Sequence, residues 1–397
     1  MNASQIRSTV EQLYPAFLRD LEALVNIDSG SENVEGLRRV VDYLIPRLED
    51  MGLSTAVEWH DRYGPFLTAR TRGKGKATIL FLAHLDTVWP PGTAEERPFR
   101  IEEPYAYGPG VNDCRSGMLC QVYTVKVLQE LGFQNYGELI LVFNPDEELG
   151  APWSGKLITE LAREADVALV MEGPTFPDEF IMSRAGTMNY TLEVIGRPIH
   201  SGVAPEQGRN AILELVHKLL KIQRLESCDG IKVNLATITG GEKQGIVAGY
   251  AKADLDFRIR HWDAVRTIEE KLPQIVEERT IPDTVAKLSG GLGHPPFPEH
   301  PMTGELVELV QACGRELGLS LTPKFCGGAS DASYAALGGA LTLDGLPPWG
   351  TLYHTDQEHV DLRTIIPRVA LVSSLAMQIS QDDKWLRNRS DSSQFRQ

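Results

Sequence analysis

Apolar and polar positions follow two alternating patterns over the first half of the chain. Short apolar runs, ATILFLA, ELILVFN and VALVME, are typical of buried strands. Between them, RSGMLCQVYTVKVLQELGF and SGKLITELAREAD have the spacing of amphipathic helices, and Gly132 marks the end of the first. Strands that alternate with helices predict an α/β fold with a mostly parallel sheet and helices on both faces.

The pattern changes near residue 187. The segment MNYTLEVIGR alternates like a half-buried strand, and NAILELVHKLLKIQRL reads as a helix. Two strand-like runs, KVNLATITG and ADLDFRIR, a second helix and the strand-like DTVAKLSG follow. The order β-α-β-β-α-β predicts a ferredoxin-like α+β domain at 187–295. We expect it to be inserted into a larger domain formed by 1–186 and 296–397.

Composition and charge narrow the class of protein. A chain of 397 residues is long enough for two domains, since single cores stop growing at about 250–300 residues. The net charge of −15 disfavours nucleic-acid binding. We expect no apolar run of the roughly 20 residues that a membrane span requires. The N-terminal MNASQIRSTVEQL lacks the apolar segment of a secretory signal, and five cysteines form no CxxC pair. A cytoplasmic location is therefore expected.

Polar side chains follow the apolar strands where each strand ends. The carboxyl ends of parallel strands meet at one edge of a sheet, where sites of α/β proteins form. Asp113, in the loop YGPGVNDCRSG, can lie at the same edge. The strand-end residues are His84, Asp86, Asp146, Glu147, Glu148, Glu172 and, after ALTLDGLPPWGTLY, His354.

So many carboxylates in one crevice repel one another unless cations offset their charge. Imidazole and carboxylate donors without thiolates favour zinc, with cobalt or manganese as possible substitutes. Each residue taken alone has a simpler explanation: a surface histidine, a solvated acidic turn or a helix cap. Their joint placement favours a site for two metals that share a bridging carboxylate.

Seven segments carry a resemblance to a known family: AHLDTV, YGPGVNDCRSG, FNPDEELG, MEGP, HSGVAPEQGRNA, GGASDASY and LYHTDQEHVD. Together they resemble the M20 family of metallopeptidases, and within it the glutamate carboxypeptidase type, from about residue 20 to 380. The resemblance implies a zinc exopeptidase-like catalytic domain with an inserted domain that serves as lid and dimerisation domain. It thus implies a homodimer.

The resemblance also implies a ligand set. Asp113 would bridge two zinc ions, His84 and Glu172 would complete one site, and Glu148 and His354 would complete the other. In the family, the peptide bond after the bridging aspartate is cis, which predicts a cis bond between Asp113 and Cys114.

Two neighbouring carboxylates would support the chemistry. Asp86 would hydrogen-bond the far nitrogen of His84 and fix its tautomer. Glu147 would be the general base that activates water and later protonates the leaving amine. The chain departs from the family pattern at Cys114, where Asp or Asn is usual, and at Arg115, where Lys is usual.

Residues of the inserted domain would contact the substrate. His200, otherwise a surface histidine, would stabilise the oxyanion, usually in the partner subunit's active site. Arg258, otherwise on a solvated sheet face, would bind the substrate carboxylate. Asn210 and the loop of Gly327 and Gly328 would help to seat the substrate. The lid segment begins with Gly245 where the family commonly has Asn.

The expected function is hydrolysis of an amide bond in an N-acyl amino acid or short peptide, with release of a C-terminal amino acid. An aminoacylase or a dipeptidase of the same family is the main alternative. An amide-forming or amide-transferring biosynthetic enzyme, or an inactive binding protein on the same fold, is a further alternative. The expected partners are a small-molecule substrate and a second copy of the chain, with no nucleic acid and no membrane.

Overall fold

A computed structural model describes residues 2–387. The chain divides into two compact units. Unit 1 contains the residues up to Ser183, Glu299–Cys326 and the residues from Ser330 onward, and unit 2 contains Arg184–Pro298 and Gly327–Ala329. The sequence placed these boundaries after residues 186 and 295.

Helices and strands are numbered in chain order. The helices are α1 (Ala3–Val25), α2 (Val34–Asp50), α3 (Thr93–Glu96), α4 (Gly117–Glu130), α5 (Ser154–Ala162), α6 (Ala211–Gln223), α7 (Trp262–Glu277), α8 (Thr303–Glu316), α9 (Ala332–Leu337) and α10 (Ile365–Gln381). The strands are β1 (Ser54–His60), β2 (Gly64–Arg72), β3 (Thr78–His84), β4 (Arg100–Glu102), β5 (Tyr105–Tyr107), β6 (Glu138–Asn144), β7 (Val167–Val170), β8 (Glu179–Arg184), β9 (Gly186–Ile195), β10 (Ile231–Gly240), β11 (Tyr250–Ile259), β12 (Val285–Leu292), β13 (Thr322–Cys326), β14 (Leu341–Leu343), β15 (Gly350–Thr351) and β16 (His359–Asp361).

The main sheet of unit 1 has the strand order β1-β2-β6-β3-β7-β14. Strands β6, β3, β7 and β14 are parallel, whereas β1 and β2 add an antiparallel edge. Phe81 of β3 belongs to a core shared with α1, α2, α4, α8 and α10, and its neighbour Leu82 is buried on the opposite face. Because β3 is covered on both faces, it reads as a continuous apolar run. The predicted α/β class and mostly parallel sheet are confirmed.

The helix at the end of unit 1 corrects one expectation. Leu362–Gln381 is long and apolar enough to cross a membrane by length and composition, although no apolar run of that length was expected. In the structure, 72% of its most apolar window is buried against the rest of the chain. Its apolar side chains therefore pack in the protein core.

A second correction concerns the approach to His354. The run ALTLDGLPPWGTLY was expected to lead a strand of the main sheet into this histidine. Strand β14 ends at Leu343, and His354 follows β15, which belongs to a separate sheet of order β15-β16-β5-β4. Gly345, with φ of 69°, and Pro347 interrupt the run because neither residue suits a continuing strand.

Unit 2 has an antiparallel sheet of order β10-β11-β9-β12. With α6 after β9 and α7 after β11, the chain order is β-α-β-β-α-β. Leu192 of β9 and Phe257 of β11 are fully buried and pack in one core with Leu215 of α6 and Ile268 of α7. This is the ferredoxin-like topology predicted from the sequence.

A buried ion pair joins the two helices of unit 2. Lys218 Nζ lies 3.0 Å from Glu214 Oε1, and both side chains are almost fully buried. The ammonium also donates to the carbonyl oxygens of Ile275 and Val276 near the end of α7, and Glu214 accepts the N–H of Ile281. The pair thus anchors α6 to the end of α7.

Replacing Lys218 by Met should lower the free energy of unfolding by about 3 kcal/mol or more, because it leaves the buried Glu214 charge without its partner. Lys221→Met, on the same helix as Lys218, is the matched control. It removes an ion pair with Glu278, and that pair is exposed. The control should cost at most about 1 kcal/mol. Urea denaturation of both variants measures the difference, and equal stabilities would contradict this account of the buried pair.

Candidate metal centre

Adjacent parallel strands bring the first candidate ligands to one edge of the main sheet. His84 is the last residue of β3, and Glu172 follows β7 by two residues. In the register of these strands, Leu82 pairs with Val170. His84 and Glu172 each lie two residues further on, so they reach the same edge of the sheet. Glu148 lies in a short helical turn, Glu147–Leu149, after β6. The sheet edge predicted from the sequence therefore carries three of the five ligands.

The carboxylate of Asp113 lies between two sets of donors. Its Oδ1 lies 2.9 Å from His84 Nε2, which is in turn 3.4 Å from Glu172 Oε2. Its Oδ2 lies 3.2 Å from His354 Nε2, which is also 3.2 Å from Glu148 Oε2. The structure thus brings all five sequence-predicted ligands together, with one oxygen of Asp113 facing each pair.

These residues fit divalent cations. Donor atoms about 2.0–2.2 Å from a tetrahedral zinc lie about 3.3–3.6 Å apart, close to the separations found here. Glu148 Oε1 is buried and has no hydrogen-bond partner within the described residues, so a ligand oxygen remains unsatisfied. Imidazole nitrogens and carboxylate oxygens are donors that suit zinc.

Mutual proximity shifts the pKa of several ligands. Hydrogen bonds with Asp113 and Glu148 raise the pKa of His354 to about 10. Burial raises the pKa of Glu148 to about 7. Burial lowers the pKa of His84. The neighbouring Cys114 and hydrogen bonds with Asp113 and Asp86 raise this pKa by more than burial lowers it, so the net pKa lies well above the usual value for histidine. Protons on these groups and metal ions would therefore compete for the same donor atoms.

Asp86 lies where the sequence predicted it. Its Oδ1 is 3.3 Å from His84 Nδ1, and its backbone oxygen is 3.0 Å from the same nitrogen. The fully buried carboxylate also accepts the backbone N–H groups of Glu147 and Glu148, at 3.2 and 3.1 Å, and the hydroxyl of Ser31 at 2.8 Å. It therefore holds the acidic turn as well as the histidine, a second contact that the sequence did not indicate.

Glu147 lies beside the candidate ligand Glu148 in the same short turn. Burial and then the charge of Asp331 raise its pKa well above the usual value for glutamate. Asp331 is itself fully buried, and Asn144 Nδ2 donates to it at 2.6 Å. The sequence analysis did not select Asp331, although it lies in the quoted segment GGASDASY.

The two departures from the family pattern have defined surroundings. The peptide bond between Asp113 and Cys114 is cis, as predicted. The Cys114 thiol is buried and donates to the backbone oxygen of Met171 at 3.0 Å, and burial raises its pKa to about 12. The buried guanidinium of Arg115 donates to the backbone oxygen of Leu85 at 2.9 Å, beside His84 in the chain.

The loop that carries Asp113 is organised by a residue that the sequence analysis missed. The buried carboxylate of Glu358 accepts the backbone N–H groups of Gly110, Asn112 and Asp113 at 3.0, 3.0 and 3.1 Å. Burial raises the pKa of Glu358 to about 7. Its position four residues after His354, in LYHTDQEHVD, is the only signal that the sequence offered.

The sequence-predicted substrate residues belong to unit 2. His200 is exposed, and its Nδ1 accepts the N–H of Gly202 at 3.1 Å. Arg258 is ion-paired with Asp256 at 3.2 Å. Within unit 2, both side chains are therefore at least partly accessible.

The remaining predicted contacts have structural roles. Asn210 caps α6, since its side-chain oxygen accepts the N–H of Leu213 at 3.0 Å. In the loop of Gly327 and Gly328, the carbonyl oxygen of Gly328 accepts a hydrogen bond from Arg184 at 3.3 Å. Their contribution to substrate binding stays a prediction.

Glu358→Gln should weaken zinc binding by about 10- to 100-fold, the range for partners that orient a metal ligand. The amide nitrogen would face the N–H groups that the carboxylate accepts. Asp356→Asn, an exposed change in the same loop, should leave the affinity unchanged. Competition with a chromogenic chelator measures both affinities, and a wild-type affinity in Glu358→Gln would remove this role.

The sequence matches Peptidase family M20/M25/M40 over residues 80–378. It is 31% identical to carboxypeptidase G2 of Pseudomonas sp. (strain RS-16) over 377 residues, covering 92% of this chain and 89% of that protein. It is 26% identical to succinyl-diaminopimelate desuccinylase of Dechloromonas aromatica (strain RCB), over 75% of this chain and 81% of that protein.

Solved structures share the fold. Aminopeptidase PepT of Bacillus cereus superposes with a TM-score of 0.79 at 19% identity, covering 92% of this chain and 98% of that chain. An M20 family metallo-carboxypeptidase of Sulfolobus solfataricus superposes with a TM-score of 0.72 at 14% identity, covering 92% and 99%. The match extends over most of the chain and includes the residues that surround Asp113. This chain therefore belongs to peptidase family M20/M25/M40 and is a metallopeptidase or related amidohydrolase.

Proposed function

We propose that the chain is a dizinc carboxypeptidase that cleaves the amide bond of an N-acyl amino acid or short peptide and releases the C-terminal amino acid. One observation carries the proposal: the two oxygens of Asp113 face two different imidazole–carboxylate pairs. His84 and Glu172 would hold one zinc, Glu148 and His354 would hold the other, and Asp113 would contact both.

A pair of zinc ions polarises a substrate carbonyl and makes water more acidic. Glu147 is placed to act as the general base, because it adjoins the proposed ligand Glu148 in the same short turn. The raised pKa of Glu147 favours a group that accepts a proton from water and then passes it to the leaving amine. Asp86 holds both His84 and the turn that carries Glu147, so it fixes the distance between ligand and base.

Unit 2 would bind the rest of the substrate. We propose that the Arg258 guanidinium pairs with the carboxylate of the released amino acid, for which its planar fork is suited. Its present partner, Asp256, would then share or release it. His200, exposed and cationic when protonated, would donate to the oxyanion.

The relatives support a second candidate function, hydrolysis of an N-succinyl amino acid, which belongs to the same class of amide hydrolysis. Succinyl-diaminopimelate desuccinylases of Dechloromonas aromatica, Nitratiruptor sp. and Wolinella succinogenes match at 26–27% identity. Hydrolysis of an N-succinyl amino acid uses the same metal chemistry and differs in the acyl group. A screen of N-acyl amino acids and dipeptides, read by amine release from zinc-loaded and cobalt-loaded protein, distinguishes these substrates.

We also propose a homodimer formed through unit 2. Four apolar side chains on the outer face of α6 are 38–60% exposed, and Ile238 on the edge strand β10 is 56% exposed. Apolar groups clustered beside an unpaired strand edge are typical of a protein interface. The α6 residues are Ile212, Leu213, Val216 and Leu220.

Glu147→Gln should lower kcat by at least about 100-fold, because it removes the proton acceptor and retains the shape of the side chain. Wild type and variant should both hold about two zinc ions per chain. Glu35→Gln, an exposed change on α2, is the matched control and should leave kcat unchanged. Elemental analysis and steady-state rates test both points, and a fully active Glu147→Gln would refute the assignment of the base.

Mixing His200→Ala with Glu147→Gln should restore activity if His200 acts in the partner subunit's active site. Each variant should be inactive alone, whereas a hybrid dimer holds one site with both residues intact. Random subunit exchange with independent sites limits recovery to about a quarter of wild type. Mass spectrometry verifies exchange, and exchange without recovered activity would place His200 in its own subunit or outside catalysis.

A further inference from the structure

A second cavity in unit 1 lies between the helices α1, α2 and α4. It has a volume of about 310 Å³, and among the described residues that line it there is no candidate metal ligand. Lys126, one of the lining residues, lies nine residues along α4 from Gly117, or about 14 Å. The volume is at the lower end of the range for small-molecule sites, about 300–1,000 Å³, so the cavity suits a single small metabolite better than a peptide.

A hydrogen-bonded frame around Asp20 holds the three helices together at this cavity. The Asp20 carboxylate accepts the hydroxyls of Tyr43 and Tyr123 at 2.7 and 2.8 Å, and Arg47 Nε donates to it at 3.2 Å. The Arg47 guanidinium also lies 3.5 Å from the centroid of the Tyr43 ring. These contacts fix the walls in place, and they engage the charges of Asp20 and Arg47 with each other.

Three further charged groups in the cavity wall have no partner. Within residues 2–387, the side chains of Asp50, Lys126 and Glu130 make no ion pair and no hydrogen bond. The Lys126 ammonium lies 5.5 Å from the centroid of the Tyr123 ring, which also lines the cavity. The cavity therefore offers one unpaired cation and two unpaired carboxylates to a ligand.

The two carboxylates lie where a helix disfavours negative charge. Asp50 is the last residue of α2, and Glu130 is the last residue of α4. The C-terminal end of a helix carries partial negative charge, which favours cations and disfavours carboxylates there. Two carboxylates at two such ends, beside one cavity, therefore favour a ligand that carries an ammonium group.

The inner part of the cavity wall is apolar. Leu44, Leu119 and Val122 line the cavity and are almost fully buried, and together they form its apolar floor. Asp50 and Glu130, by contrast, are exposed and lie nearer the mouth. A ligand that fits this distribution has its charged groups at one end and an apolar group at the other.

We propose that this cavity binds a free α-amino acid with an apolar side chain, such as leucine. The ammonium group of the ligand pairs with Asp50 and Glu130, its carboxylate pairs with Lys126, and its side chain packs on the apolar floor. This site is separate from the proposed hydrolysis, and its test measures binding without turnover, so either proposal can fail without the other.

The test is calorimetry of the zinc-loaded protein with L-leucine, 3-methylbutylamine and 4-methylpentanoate. The two analogues retain the apolar side chain, and each lacks one charged group. In wild type, each analogue should bind about fivefold more weakly than L-leucine, the upper limit for one exposed ion pair. No saturable binding of L-leucine up to its solubility would overturn the inference.

A charge reversal assigns the binding to this cavity. Lys126→Glu should weaken L-leucine binding by at least about tenfold and strengthen 3-methylbutylamine binding, because an attraction for carboxylate becomes a repulsion and a third anion faces the amine. Lys74→Glu is the matched control: Lys74 is an exposed lysine of unit 1, in the loop between β2 and β3, and its replacement should change neither affinity. Wild-type affinities in Lys126→Glu, or equal changes in both variants, would place the amino acid elsewhere, the metal centre included, and overturn the inference.

A second variant tests the opposite end of the ligand and does not depend on the folding of Lys126→Glu. Asp50→Asn combined with Glu130→Gln removes both exposed charges and retains the shape of the side chains. It should weaken binding of L-leucine and 3-methylbutylamine by about fivefold or more without weakening that of 4-methylpentanoate. Unchanged affinities for the two amines would refute the site.

Discussion

The sharing of one carboxylate between two imidazole–carboxylate pairs is the constraint on which the rest of the centre depends. Asp113 can serve both pairs only if its loop is held in place, and the buried Glu358 does this by accepting three N–H groups of that loop. Asp86 does the same for the opposite side, where it holds His84 and the Glu147–Leu149 turn. Asp86 and Glu358, two buried carboxylates outside the proposed ligand set, therefore orient the candidate ligands.

This arrangement concentrates several partly or fully buried carboxylates in one place. Burial raises the pKa of Glu148 and Glu358 to about 7, whereas two hydrogen-bonded carboxylates raise the pKa of His354 to about 10. Divalent cations offset the same repulsion more fully than protons do, because each carries two charges and binds several donors at once. Under our proposal, bound metal ions would therefore offset the repulsion among these carboxylates.

Family membership does not by itself specify the substrate. The chain is similar to enzymes with different names, a carboxypeptidase and desuccinylases among them. Under our proposal, the candidate metal ligands of unit 1 would supply the hydrolytic chemistry, and His200 and Arg258 of unit 2 would contact the substrate. The chemistry and the choice of substrate would then depend on different residues.

The sequence by itself determined the alternation of strands and helices, the ferredoxin-like order of the inserted segment, and the position of His84, Glu148 and Glu172 where strands end. Those features follow from local periodicity and from the rule that parallel strands end at one edge. Only the tertiary structure decided that His354 arrives from a separate sheet and that Glu358 supports a loop 245 residues earlier in the chain. Hydrogen bonds between distant segments depend on how the helices and strands pack against one another. Local periodicity in the sequence indicates which side chains are buried, but it does not indicate which of them will come into contact.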